Sequence, residues 1–332
     1  MSYNKDYIIT TLSSSIRERG THSSSSYRVT SPIIPTGRIR NVLGGSPYTA
    51  VTGDPPSGTF PFGSICYSGD WVPGKVGNYG LNFDGSNDHI LIGSTSDFAW
   101  MHGKGDVNAF KWSVSFWMKL DSSPADINNL KIILSTNNTT AGAGVTIAYD
   151  DRGTGAGGQD RAILLLIYNA DNANIASLEK ANDYPNDTNW HHVVVTFDRS
   201  LESNNAVIYI DGAFKCQGDD TTNTPSNAVS LQKLTIGETA AGAGGFNYPG
   251  TLDDLAIWNV VLTNADAAIL YASGVGQPAS YMSASNLVSY WNMEEGPGNS
   301  TIANYSAAIS GTLNGTMTSM DAGTACPNPI GG

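Results

Sequence analysis

A chain of 332 residues with 40% hydrophobic and only 14% charged residues, 37 of them glycine, can bury a core and has the usage of short strands joined by turns. Its net charge of −12 argues against non-specific nucleic-acid binding and against other polyanionic partners, because neutralising phosphates takes clustered Lys and Arg. The three cysteines, Cys66, Cys216 and Cys326, are too few for a disulfide framework and lack the paired spacing of a zinc site. Buried free thiols are expected, and one bridge with one thiol left over is the alternative.

The first twenty residues, MSYNKDYIITTLSSSIRERG, hold no apolar run of the length a secretory signal needs. No window reaches the roughly 18 apolar residues of a membrane span. The expectation is synthesis in a cytoplasm without export by the usual route. Residues 1–70 carry a serine run from Ser23 to Ser26, repeated Pro and Gly, and no sustained period. Such a segment cannot bury enough surface to fold alone, so it reads as an extended arm docked on another subunit.

Strand signals are dense from 71 to 275. GLNFDGSNDHILIG, FKWSVSFWMKL, LKIILST, AGVTIAYD, RAILLLIYN, LQKLTIGE and GTLDDLAIWNV are short, β-rich and separated by turn residues. In KWSVSFWMKL, Trp112, Val114, Phe116, Met118 and Leu120 form an inner face against a mostly polar outer one. WHHVVVTFD alternates as well, and the next strand runs through Val207, Ile208, Tyr209 and Ile210 into Asp211-Gly212, a dipeptide suited to the φ > 0 positions of a hairpin turn. LTNADAAILYAS reads as one short helix with Asn264 as its N-cap and Gly274 just beyond its end. In the C-terminal tail, residues 276–332, the segment from Leu287 to Thr318 has strand-like ends around a polar middle.

The order FKWSVSFWMKL, WHHVVVTFD, VIYIDG, LTIG and GTLDDLAIWN, followed by a short helix and Leu-Tyr, resembles the laminin-G-like, concanavalin A-like jelly roll over roughly residues 74–274. The resemblance implies an all-β fold, an antiparallel β-sandwich. It implies no single function, since members bind carbohydrate, protein and other surface ligands. In relatives a stretch like that at 287–321 usually precedes one like that at 70–90. The C-terminal segment is therefore expected to add a strand to its own sandwich or to a neighbour's.

The resemblance also implies calcium as a cofactor, with Asp84 and Asp254 giving side-chain oxygens and Gly85 a carbonyl. In LDDLAIW strict alternation places Asp254 on one face and Asp253 on the other, so one of the two acids points inward and needs a partner. His191 and His192, adjacent on a strand, face opposite sides and cannot share a metal. The paired acids of a same-fold glycosidase, two residues apart on one strand, are missing; Glu294-Glu295 are neighbours, and Glu179 and Glu238 stand alone. With no GxSxG, HExxH or phosphate loop either, the chain reads as a non-enzyme. Glycan is the expected ligand, contacted by Trp100, Tyr149, Phe246 and Tyr248 as ring platforms, with Asp151 and Arg152 adding polar contacts.

Two settings fit these readings. The first is a structural protein of a virus particle, a phage capsid-decoration or tail-fibre component, made in the host cytoplasm, joined to other subunits through its two tails, and a homo-oligomer. The second is an extracellular or cell-surface lectin-like module or adhesin.

Overall fold

A computed structural model describes residues 65–137, 142–154, 157–239, 245–282, 284–306 and 313–325. Its strands in chain order are β1 (Trp71–Pro73), β2 (Tyr79–Asp84), β3 (His89–Ile92), β4 (Lys111–Leu120), β5 (Leu130–Ser135), β6 (Gly144–Asp150), β7 (Ala162–Tyr168) and β8 (Asn174–Leu178). They continue with β9 (His191–Asp198), β10 (Ala206–Ile210), β11 (Ala213–Gly218), β12 (Leu234–Ile236) and β13 (Pro249–Trp258), then helix α1 (Asn264–Tyr271), β14 (Leu287–Trp291), β15 (Thr301–Ile302) and β16 (Gly315–Thr318). Every pairing among them is antiparallel.

Two sheets result. One runs β1-β2-β13-β4-β9-β10-β11 with β14 also on β13; the other runs β15-β16-β3-β12-β5-β6-β7-β8. Period-2 alternation sends Trp112, Val114, Phe116, Met118 and Leu120 of β4 into a core with Val145 and Ile147 of β6 and Ile163, Leu165 and Ile167 of β7. The β9–β10 meander has the expected register, Val193 opposite Ile210. Asp211 (φ 55°) and Gly212 (φ 71°) both take left-handed backbone at its turn to β11.

The outer faces of the two sheets differ. On the first sheet Val194, Tyr209, Ala256, Trp258 and Tyr290 are roofed by Leu262, Ala267, Leu270 and Ala279. The roof is α1 with the segments on either side of it. The helix starts one residue earlier than the sequence suggested: Thr263 is the N-cap and forms a capping box with Asp266, and Asn264 is the first helical residue. The outer face of the second sheet has no such roof among the described residues; there Leu130, Ile132, Ala148 and Leu164 form a small apolar cluster with Leu166 and Phe246.

Strand β13 departs from strict alternation. Asp253 pairs with Trp117 and Ala256 with Ser115, so one extra residue is inserted, and Asp254 takes φ 52°, a conformation Asp tolerates better than most residues. The bulge buries both acids, Asp253 at 0% and Asp254 at 1% exposure, where alternation alone predicts one inside and one outside.

The C-terminal segment pairs within its own chain. β14 pairs with β13, β16 with β3 and β15 with β16. Within the expected arm, residues 65–70 are not free: Ile65, Cys66, Tyr67 and Ser68 are buried, and the Asp70 amide bonds to the Asp321 carbonyl at 2.8 Å. Residues 1–64 lie outside the described residues. Cys216 is free and buried and Cys66 is disulfide-bonded; Cys326 lies outside the described residues. The expectation of free thiols is corrected to one bridge and one thiol.

Candidate functional site

The unroofed face of the second sheet carries a groove of about 330 Å³ lined by Leu130, Arg152, Gly157, Leu164, Leu166, Tyr168, Asn174, Ser177, Glu179 and Phe246. Its floor follows from register. Leu166 is paired with Thr146 on one side and Ser177 on the other, and Tyr168 with Gly144 and Asn174, so Leu164, Leu166 and Tyr168 share the outward face of β7. Glu179 continues the face of Ser177 one step beyond β8.

Phe246 is held at one wall because the segment before β13 is tied to β5. The Ile132 amide donates to the Phe246 carbonyl at 2.7 Å, and the Asn129 side-chain amide and Lys131 Nζ both donate to the Gly245 carbonyl, at 3.1 and 3.0 Å. The ring itself is half-buried on the apolar cluster.

At the far end of β6, Arg152 folds back on Asp150. Its Nε donates to Oδ1 at 2.9 Å and its Nη2 to Oδ2 at 2.7 Å, while its backbone amide donates to Oδ1 at 3.0 Å. Burial pushes the Asp150 carboxyl up, but the hydrogen bonds and charge of Arg152 outweigh it, and the acid is held below its usual range. Glu179 is pushed up to about 7, first by burial, then by its hydrogen bond to Asp150 and the Asp150 charge. The groove therefore combines an aliphatic floor, two rings and a polar rim, with its one guanidinium already bonded to an acid.

A laminin G family profile, described as the concanavalin A-like lectin/glucanases superfamily, matches residues 77–268, more than half of the chain. The protein belongs to the concanavalin A-like lectin/glucanases superfamily. Among solved structures it is similar to a putative carbohydrate binding protein from Bacteroides ovatus, at 16% identity over 74% of this chain and 60% of that one, TM-score 0.46. It is also similar to domain 4 of an extracellular GH43 arabinanase from Geobacillus stearothermophilus in complex with arabinotriose, at 15% identity over 62% and 80%, TM-score 0.40. A third is the CBM40 of a Ruminococcus gnavus sialidase bound to α2,3-sialyllactose, at 10% identity over 58% and 96%, TM-score 0.42. The chain spans 60% of the length of the first of these, and all three are likenesses of fold alone.

Within this concanavalin A-like sandwich the residues expected to contact a ligand do not stay together. Arg152 and Phe246 line the groove. Tyr149 and Tyr248 are corrected to core residues. Both are 0% exposed; Tyr149 donates its hydroxyl to the Pro124 carbonyl at 2.8 Å and Tyr248 to that of Lys119 at 3.0 Å. Neither ring offers a face to a sugar. Asp151 is also buried, its oxygens accepting the Asn128 amide at 2.9 Å and the Arg161 amide at 3.2 Å. Trp100 sits in a short 3₁₀ turn, Ala99–His102, packed on the core and not among the groove residues.

The calcium expectation fails a test of fit. Asp84 Oδ1 accepts the Ser86 and Asn87 amides at 2.7 and 3.3 Å, a turn closed at Gly85 (φ 75°). Asp254 accepts from the Tyr290 hydroxyl at 2.5 Å and the Ala279 amide at 3.1 Å. Asp84 lies opposite Pro249, five residues before Asp254, so a strand rise near 3.3 Å puts the two acids about 16 Å apart. Calcium needs six to eight oxygens around one point, and among the described residues no group of three or more His, Cys, Asp or Glu is arranged to hold an ion.

Sequence reasoning missed Tyr168, Asn174, Ser177 and Glu179. The signal lay in RAILLLIYN, a strand without alternation. Uniform apolarity leaves Leu164 and Leu166 facing outward, and an apolar outward face on a sheet is a surface for something to cover.

Proposed function

We propose that this protein is a non-catalytic glycan-binding protein whose ligand lies in the groove over β6, β7 and β8. The observation that carries the reading is the composition of that groove: Leu130, Leu164 and Leu166 beneath, the Phe246 and Tyr168 rings at its sides, and Asn174, Ser177, Glu179 and Arg152 on its rim. A pyranose has the matching two-sided chemistry, with C–H faces for the floor and rings and hydroxyls for the rim. The groove is at the small end of ligand sites, roughly 300–1,000 Å³, which suits a short stretch of sugar. Binding without turnover is supported by the acid pair. Asp150 is held through both oxygens by Arg152, whereas glycoside hydrolysis needs two carboxyls that face the scissile bond about 5 Å apart or more.

The groove serves either setting drawn from the sequence. A virion decoration and a surface lectin both meet glycans from outside, and the family membership is common to both. Among the described residues no helix is long and apolar enough to cross a membrane.

The test is a glycan microarray followed by calorimetry on the best ligands, with wild type, Phe246→Ala and Tyr168→Ala. Each ring removal is expected to weaken binding by about tenfold, the ~1.4 kcal/mol that a ring anchor typically contributes. Absence of binding across the array, or ligands that bind Phe246→Ala and Tyr168→Ala as tightly as wild type, would overturn the assignment.

A further inference from the structure

We propose that the groove takes uncharged sugars and turns away those bearing a carboxylate, and that Glu179 sets this choice. The inference rests on the glycan reading above and adds the class of sugar.

Arg152 is the cation among the lining residues, and its charge is already committed. Nε and Nη2 each bond one oxygen of Asp150, a side chain with 0% exposure, in the bidentate geometry that saturates a carboxylate fork. The loop closes over this pair: a Cβ added at Gly158 would lie 2.5 Å from Asp150 Oδ2 and 2.9 Å from Arg152 Nε. A sugar carboxylate entering the groove would meet a guanidinium whose charge the buried Asp150 already offsets. The nearby Lys131 is turned to the Gly245 carbonyl, and Arg161 is bonded to the Tyr184 carbonyl at 3.2 Å.

Glu179 adds the opposing element. Its carboxyl interacts electrostatically with Asp150, and its Oε2 is buried without a hydrogen-bond partner. A buried acceptor without a donor is costly, and a sugar hydroxyl supplies the donor. A carboxylate supplies none and brings a like charge toward Asp150, which Arg152 keeps ionised. The rim groups Asn174 and Ser177 bond hydroxyls as readily as acids, so they do not restore the balance.

The experiment uses matched ligands on the whole chain: galactotriose against trigalacturonate, mannotriose against trimannuronate, and lactose against 3′-sialyllactose, titrated by calorimetry into wild type and Glu179→Gln. Wild type is expected to bind the neutral member of a recognised pair at least tenfold more tightly, and Glu179→Gln to narrow that gap to threefold or less. Equal binding of both members by wild type, or an unchanged gap in Glu179→Gln, overturns this inference while leaving the glycan reading standing. Binding of no neutral or acidic sugar overturns the glycan reading, and this inference with it. The wild-type comparison decides the matter even if Glu179→Gln does not fold.

Discussion

Asp253 and Asp254 show how one backbone irregularity changes a residue's chemistry. LDDLAIW announces a strand with two acids, and period 2 assigns them to opposite faces. The bulge at Asp254 is invisible in that pattern, because any residue in the run could carry it. Its effect is to bury both carboxyls. Asp253 accepts the Lys75 and Val76 amides at 2.7 and 2.8 Å and is held well above the usual carboxylate range, first by burial and then by the Asp254 charge. Burial likewise pushes Asp254 up to about 7, against the Tyr290 and Ala279 bonds that lower it. With a folded pKa above the unfolded value of 3.8, the native state holds the proton longer, so this stability is full below about pH 4 and is lost as pH rises through 7. His102 and His192, lowered by burial to about 4 and about 3, act oppositely: their contribution is present above about pH 6.5 and is lost as pH falls through those values. Comparing wild type with Asp254→Asn cancels the histidines. The variant is expected to lose the share of the pH dependence that Asp254 carries between pH 4 and 7, a difference from wild type on the order of 4 kcal/mol between those limits. Urea unfolding at pH 4.5 and pH 7.5 measures it, and parallel pH profiles would contradict the assigned burial cost.

At the scale of elements, the strands that alternate cleanly were legible, and those that matter for the groove were not. β4 sets a large apolar face against a mostly polar one and reads directly; β9 and β10 alternate enough to read as strands, although Val194 and Tyr209 on their outer side pack under the α1 roof. β7 is apolar on both sides, so its pattern cannot say which residues face the groove. β8 (NIASL) is short and mixed, and its outward Ser177 acquires meaning only from being paired with Leu166. The C-terminal strands were legible as a displaced half, and the structure shows what they contribute. Trp291 of β14 is 0% exposed, lies 6.3 Å from the Phe98 ring centroid, and donates its indole N–H to the Leu313 carbonyl at 2.9 Å. Glu294, just beyond, accepts the Asn78 and Tyr79 amides at 2.8 and 2.9 Å. The segment fills the core and satisfies backbone donors of the β1–β2 connection. Trp291→Ala is therefore expected to cost about 3–5 kcal/mol, measured by urea denaturation; a loss below 1 kcal/mol would show that the C-terminal strands are an accessory layer.

For the whole molecule, the argument turns on how the two ends of the described chain meet. The Asp321 amide bonds to Asp70 at 2.6 Å, the Thr324 amide to the Ser68 hydroxyl at 3.0 Å, and the Trp71 indole to the Asn299 carbonyl at 3.1 Å. These contacts hold residues 68–71 against 321–324, next to the disulfide-bonded Cys66. Composition could not choose between a bridge and three thiols, because pairing depends on which segments the fold brings together. A cross-link from Cys66 restricts the unfolded chain, and in the chain-entropy account its effect grows with the loop it closes. Cys216 stays apart, 7% exposed, with its thiol pushed up to about 12 chiefly by burial, and so is unreactive until the protein unfolds. Alkylation followed by mass measurement separates the cases. In denaturant without reductant one thiol should be modified, after reduction three, and Cys66→Ser should melt well below wild type. Three modified thiols before reduction would mean that the ends are held by hydrogen bonds alone, and the bridge's share of the stability would then have to come from the C-terminal strands themselves.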